Sequence, residues 1–452
     1  MKVSIVGTGY VGLVSGACLA DKGHEVVCVD VDSDKVDKIN AAVCPIYEAG
    51  LEDILKRNVG SRLSASTSLY DAVLESEVTL IAVGTPFDGS SIDVSFIEEA
   101  SRQIGRALKD KDDFHVVVVK STVVPGTTDK VVTPILERES GKKAGADFGV
   151  GMNPEFLREG EAISDFMNPD RIVYGGSDAR SITVLDRLYG VFEGVDIVRT
   201  TNKTAEMIKY TANSLLATLI SFSNEIANLC TALGEIDVVD VMKGVHLDRR
   251  LSPILDTGQR IVPTVTTFVE AGCGFGGSCF PKDVKALIAH GKAVGEDMSL
   301  LRAVVDINKS QPMRVISLLQ ESCGSLAGLR VAVLGLAFKP GTDDMRESPA
   351  IPIIRSLHGE GALITAYDPI AIDEARKVFT SIPVDYADSM KSAIEKADAI
   401  VLVTIWDEFK SLPDLLNGMS TAPLLVDGRR MIRKDAVPRY RGIGLTQAED
   451  AA

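Results

Sequence analysis

The chain carries one tryptophan, five histidines and seven cysteines in 452 residues. The cysteines (Cys18, Cys28, Cys44, Cys230, Cys273, Cys279 and Cys323) are odd in number and form no Cys-x-x-Cys pair. That argues against a disulfide framework or a zinc site and for a reducing, cytoplasmic setting. The dispersed histidines leave little room for a histidine metal centre, so no metal is expected. No apolar run approaches the ~20 residues that span a bilayer. The opening Met1-Lys2-Val3-Ser4-Ile5-Val6 has one basic residue and leads into a glycine motif, so it reads as a first strand rather than a signal peptide, and no membrane partner is expected. Positive charge is also scarce. Lys and Arg number 48 against 63 Asp and Glu, a net charge of −15. A nucleic-acid partner, which needs a basic footprint, is therefore excluded. An anionic small ligand would need donors set locally against that field.

What is present is an ordinary globular composition, 45% hydrophobic and 25% charged. The length allows about two to four domains. Short β-branched runs at Val3–Val6, Glu25–Val29, Thr79–Val83 and His115–Lys120 alternate with helical patterns, which predicts a doubly wound parallel sheet. The order recurs at Arg330–Gly335, Leu363–Asp368 and Ala399–Thr404. From Thr204 to about Leu233 there is neither Pro nor Gly, and Ile208, Leu215, Leu216, Leu219, Phe222 and Ile226 recur at helical spacing. A helix of about 30 residues, ~45 Å long, follows. Such a helix often carries a homodimer interface; an internal strut is the alternative. The expected fold is α/β, with two Rossmann-like doubly wound parallel-sheet domains joined by this helix. The boundaries are 1–200, 201–312 for a central helical part, and 313–452.

Gly7-Thr8-Gly9-Tyr10-Val11-Gly12 follows a strand, opens a helical stretch, and lies 18 residues before Asp30 at the end of the next strand. Glycines in that register let a pyrophosphate approach a helix N-terminus. Asp30 would accept from a ribose diol and repel a 2′-phosphate, which predicts NAD rather than NADP. Lys35 could flank the adenosine or be solvated. The alternative is a packing turn without cofactor. The equivalent turn Gly335–Gly341 lacks the glycine spacing but is accompanied by Lys339, Arg346, Arg429 and Arg430, suited to a different anion such as a nucleotide diphosphate.

Gly274-Phe275-Gly276-Gly277-Ser278-Cys279-Phe280-Pro281-Lys282-Asp283 reads as a close-packed loop before a helix over Asp283–Gly291. A helix N-terminus and Lys282 both favour a thiolate at Cys279, a candidate nucleophile. The other six cysteines read as inert and buried. Asn153-Pro154-Glu155-Phe156-Leu157-Arg158-Glu159 begins with a cap residue and a first-turn proline, which predicts a helix with Glu155 and Glu159 on one face. The pair could do acid–base work or merely favour the helix dipole. Lys209 and Asn213 are four apart on the long helix, and a cation there could meet an oxyanion. Lys120–Gly126, with Thr122, ends a strand at the ligand-binding edge of the sheet.

These pieces in this order resemble the nucleotide-sugar dehydrogenases, from Gly7 to about Arg430. The specific elements are the glycine turn, Asn153–Glu159 and Gly276–Asp283; Phe338–Ser348 is less specific. The resemblance implies NAD-dependent, four-electron oxidation of a nucleotide sugar's primary alcohol to the uronate. It implies Cys279 as nucleophile, Lys209 as the cation at the oxyanion, and Asp283 and Thr122 as the groups that hold water and move protons. Glu155 and Glu159 would lie by substrate and nicotinamide, with Glu155 the acid–base group. Phe156, Leu157, Asn213, Phe275, Gly276, Phe338, Lys339 and Arg429 are implied substrate contacts. Thr85 and Pro86 are implied to cover the dinucleotide, with Lys282 and Arg346 near it. Where many members have Arg-Ile-Gly, this chain has Arg260-Ile261-Val262-Pro263. Arg260, or in its place Arg249 or Arg250, would reach a neighbouring subunit's substrate.

Phe280 and Met167–Ile172 resemble the UDP-glucose branch more than the GDP-mannose branch. UDP-N-acetylhexosamines stay open as substrates. The rival readings are a two-electron hydroxyacid-type dehydrogenase and a non-catalytic NAD-binding regulator.

Overall fold

The computed structural model describes residues 1–445. The chain divides into two units, Met1–Ala212 and Asn213–Ala452. In the first, strands β1 (Lys2–Val6), β2 (Glu25–Val29), β3 (Leu63–Ser66), β4 (Val78–Ile81), β5 (Val116–Val119), β6 (Gly149–Met152), β7 (Arg171–Gly176) and β8 (Asp196–Thr200) form one sheet, in the order β3-β2-β1-β4-β5-β6-β7-β8. Alternate residues of β1, β2, β4 and β5 feed two cores. Val3, Ile5, Val26 and Cys28 face one side; Val6, Val29, Ile81 and Val119 face the other. That is why the strands read as continuous apolar runs. All four valines of β5 are fully enclosed, and each contributes roughly 1.5–3 kcal/mol of hydrophobic free energy.

The sheet departs from the all-parallel expectation at one place: β6 and β7 are antiparallel. An antiparallel return needs no crossover helix. The segment between them is therefore free to run irregularly at the sheet's carboxyl edge, and it carries Glu155.

The second unit repeats the plan with β9 (Arg330–Leu334), β10 (Leu363–Tyr367), β11 (Val384–Tyr386), β12 (Ala399–Leu402), β13 (Leu424–Asp427) and β14 (Tyr440–Gly442), ordered β11-β10-β9-β12-β13-β14 and parallel throughout. In both sheets the order reverses beside the first strand, between β1 and β4 and between β9 and β12, the place where doubly wound sheets open a crevice for ligands.

The long helix spans Asn202–Leu233, close to its predicted range. In the second unit its Leu219, Ile226, Ala227 and Cys230 join the core, while Leu215, Phe222, Leu229 and Leu233 remain exposed. Among the described residues no helix is long and apolar enough to cross a membrane.

Candidate active site

The glycine turn leaves β1 at Gly7, whose φ is +94°. A Cβ on Gly12 would stand 1.9 Å from the Gly7 carbonyl oxygen, whereas one on Gly9 would meet nothing within 4 Å. Gly12 thus lets the helix close on the turn, and Gly9 leaves its outer side open. The helix Tyr10–Asp21 begins there with no side-chain cap, so its first N–H groups are available to an anion. Asp30, at the end of β2, accepts from the Thr8 N–H (2.8 Å), the Thr8 hydroxyl (2.5 Å) and the Asp32 N–H (3.1 Å). Partial burial opposes its ionisation, but these bonds and the nearby Lys35 charge hold the carboxyl below its usual range. An open cradle of N–H groups beside an ionised acid fits NAD. The Thr85 hydroxyl donates to the Thr122 carbonyl (2.8 Å), joining the loops after β4 and β5, and the exposed Pro86 follows.

The helix expected over Asn153–Glu159 does not form; regular structure resumes at the helix Ala162–Met167. Long-range bonds outcompete the local cap. Asn153 accepts from Lys120 (2.8 Å) and from the Tyr189 hydroxyl, and donates to the Val173 carbonyl (2.7 Å). Glu155 turns inward to Lys209, with 3.0 Å between Oε1 and Nζ, and its Oε2 accepts the Leu157 N–H (2.6 Å). Burial opposes the Glu155 charge, yet Lys209, the Leu157 N–H and Lys120 outweigh it and keep the carboxyl below its usual range. Burial also pulls Lys120 down to about 8; Glu155 resists that shift and Lys209 adds to it. The Phe156 ring has Arg171 at 3.9 Å and Lys209 at 5.5 Å. Leu157 packs on the core, and Glu159 is half-buried at the turn before Gly160.

In the second unit the cysteine loop is braced on three sides. Asn308 bonds both the N–H and the carbonyl of Phe275 (2.8 and 2.9 Å). Arg429 donates to the Gly274 carbonyl (2.9 Å) and the Val403 carbonyl (2.6 Å). The Gly277 N–H donates to the Arg346 carbonyl (2.8 Å). Gly277 has φ +88°, and a Cβ there would press on the Phe338 ring at 2.7 Å; one on Gly276 would stand 2.3 Å from the Glu347 carbonyl oxygen. The helix runs from Phe280 to Ala293, longer than expected, with Cys279 at its N-cap and Pro281 in its first turn. Cys279 is half-buried. Asp283, 1% exposed, accepts from Asn213 Nδ2 and Lys282 Nζ, each at 2.6 Å.

None of the seven cysteines is in a disulfide, and burial raises the thiol pKa of each of the other six, with Cys18 and Cys28 reaching about 12. Two of the six, Cys44 and Cys323, are only partly buried, contrary to expectation.

Several candidate cations have partners within the second unit. Arg346 grips Asp344 (2.6–2.9 Å), and Arg430 forms a buried pair with Asp237 (2.9 Å). Arg260 donates to the carbonyls of Leu247 and Ser252 (2.9 and 2.8 Å), and Arg250 pairs with Asp248 at the surface. Arg249 is exposed, and Lys339 is partly buried beside Phe338.

Models of three domains match in sequence: the NAD binding domain (1–193), the central domain (203–310) and the UDP binding domain (332–434) of the UDP-glucose/GDP-mannose dehydrogenase family. The chain belongs to this family. A UDP-glucose 6-dehydrogenase of Haloferax volcanii is 44% identical across 96% of this chain and 98% of its own. One from Rhizobium meliloti is 42% identical across 98% and 99%. The structure of a UDP-glucose dehydrogenase from Pyrobaculum islandicum superposes with TM-score 0.88 at 38% identity, covering 98% of each chain. The protein is accordingly an NAD-dependent oxidoreductase of the nucleotide-sugar dehydrogenase type, and the turn at Gly7–Gly12 is part of its NAD-binding domain.

Four polar residues of these constellations escaped the sequence reading as functional groups. Lys120 stood inside a quoted motif without a role, and Asn153 was read only as a helix cap. Glu206, fully buried, accepts from the N–H groups of Gly126 and Thr128 and from the Thr128 hydroxyl, tying the long helix to the loop after β5. Glu48 lies in an irregular stretch with no motif around it.

Proposed function

We propose that this enzyme oxidises UDP-glucose to UDP-glucuronate in two successive two-electron steps. The observation that carries the reading is Cys279 at the N-cap of the helix Phe280–Ala293, one turn before the enclosed Asp283 and its partners Asn213 and Lys282. NAD, when bound, supplies the hydride acceptor for each oxidation. The substrate preference is supported by the names of the relatives, which are UDP-glucose dehydrogenases along nearly their whole length.

The chain's own groups divide the remaining work. Glu155 is held ionised, so it begins as a proton acceptor for the sugar's primary hydroxyl. The Cys279 sulfur adds to the aldehyde carbon, forming a C–S bond and a thiohemiacetal. Loss of the second hydride leaves a thioester. Water adds to its carbonyl, the C–S bond breaks, and the thiol is regenerated with the carboxylate. Lys209 supplies a cation for the oxyanionic stages. Asp283, Asn213 and Thr122 hold the water and the protons in transit. Phe156, Leu157, Phe275, Gly276, Phe338, Lys339 and Arg429 bind the sugar nucleotide. Thr85, Pro86, Glu159, Lys282 and Arg346 attend the cofactor, with Asp30 on its ribose.

The assembly is a homodimer through the long helix, and Arg260 serves the partner's substrate. The helix's exposed Leu215, Phe222 and Leu229 stand seven residues apart, a stripe that suits helix pairing. Seven cysteines without a disulfide suit a cytoplasmic setting.

NADH absorbance with a panel of UDP- and GDP-sugars tests the proposal. UDP-glucose should be the preferred sugar and yield two NADH per molecule. A yield of one would favour the two-electron rival, and preference for GDP-mannose or a UDP-N-acetylhexosamine would replace the substrate.

A further inference from the structure

Glu48 sits in the irregular stretch between the helices Ser33–Asn40 and Leu51–Asn58 and is only 7% exposed. Both carboxylate oxygens are fully engaged. Oε2 accepts from the Tyr10 hydroxyl and from the Gly160 N–H (2.7 Å); Oε1 accepts from the N–H groups of Ala162 (2.8 Å) and Ile163 (3.4 Å). The Tyr10 oxygen also accepts from Gly160 N–H (2.8 Å). No Lys or Arg pairs with Glu48 among the described residues. Ala162 and Ile163 open the helix Ala162–Met167, so Oε1 caps that helix, while Oε2 is left to join Tyr10 to Gly160.

The partners explain the arrangement. Tyr10 is the first residue of the helix that opens the dinucleotide cradle. Gly160 directly follows Glu159 and closes the loop that carries Glu155. That loop has no helix or strand to hold it. Its amino end is clamped through Asn153, and its carboxyl end through Glu48. One buried carboxylate therefore ties the NAD turn to the loop of acidic residues.

We propose that Glu48, acting through Tyr10 and Gly160, is a positioning residue that sets the acidic loop in register with bound NAD. The inference rests on NAD occupying the Gly7–Gly12 turn.

The test uses the full-length enzyme and the variants E48Q, Y10F and E48Q/Y10F. NAD binding is measured by calorimetry without sugar, and KM for each substrate, kcat and thermal midpoint are measured alongside. Each single variant should raise the NAD Kd and KM about ten-fold, the scale of one charge-assisted hydrogen bond. kcat should fall alongside, because the displaced loop carries Glu155, and the double variant should be no worse than the worse single, because the two groups act as one. Additive losses, an NAD Kd within about two-fold of wild type, or a lowered thermal midpoint with unchanged NAD binding would each overturn the inference. If E48Q does not fold, Y10F, which loses one hydroxyl, still reads the same change in NAD Kd and kcat. Wild-type protein that binds no NAD would overturn the cofactor assignment itself, and this inference with it.

Discussion

Lys209 Nζ stands 3.0 Å from Glu155 Oε1, and both side chains are almost wholly enclosed, at 4% and 7% exposure. A buried pair of this kind is worth little against a well-packed apolar pair, but removing one partner strands the other charge in a dry site. K209M should therefore lower unfolding free energy by about 3–5 kcal/mol, and E155Q/K209M by clearly less. Urea denaturation of the singles and the double measures this. A loss in the double equal to the sum of the two single losses would mean the pair is not coupled.

The same carboxylate gives a pH dependence. Glu155 has a folded pKa below its unfolded value. Its contribution is thus present above the unfolded carboxylate range, near ~4.3, and is lost as pH falls through the folded value. The stability gap between wild type and E155Q should narrow on acidification below about pH 4; a gap that widens there would contradict the assignment.

Lys120 works with the opposite sign. Its folded pKa, about 8, lies below the ordinary lysine value of 10.5. The folded state therefore binds fewer protons than the unfolded state between those values, so stability rises with pH across that window. Below it, the buried charge costs up to the order of a few kcal/mol. Wild type should gain stability relative to K120M as pH rises from about 8. A difference that is flat from pH 7.5 to 9.5 would place the lysine's titration elsewhere.

Cys279→Ser should reduce uronate formation by roughly a thousand-fold or more, since serine lacks an easily formed anion to capture the aldehyde. NAD binding should be unchanged, because the substitution leaves the Gly7–Gly12 turn and Asp30 intact. Undiminished uronate turnover by the variant would remove the covalent mechanism.

Replacing Phe222 and Leu229 with glutamate should place charge in the exposed stripe of the long helix and dissociate the proposed dimer. Light scattering behind size exclusion reads the mass directly. A wild-type protein that runs as a monomer at micromolar concentration would refute the dimer.

The sequence alone determined what depends on consecutive residues. Strand, glycine turn, helix and Asp30 follow from β-branched runs and the spacing of Gly7, Gly9 and Gly12. Pro281 marks a helix there, read from Asp283 and found from Phe280, and the absence of Gly and Pro marks the long helix. These are short-range rules of period, turn chemistry and capping, and they hold wherever nothing distant competes.

They failed at Asn153–Glu159, where a cap residue and a first-turn proline spelled a helix. There the tertiary partners of Asn153 and Glu155 offered stronger bonds than a local helix could. The two sheets show the same division. Asp30 and Asp368 occupy equivalent strand ends, and both follow from the repeated pattern. Only the structure shows that Asp368 is enclosed and filled by the N–H groups of Leu336, Ala337, Ile370 and Ala371 and the Trp406 indole, while Asp30 keeps partial exposure. Glu48, Lys120 and Glu206 belong to the same class. Each is an ordinary charged residue in the sequence, and its role was decided by which distant donors and charges the fold brought against it after taking it out of water.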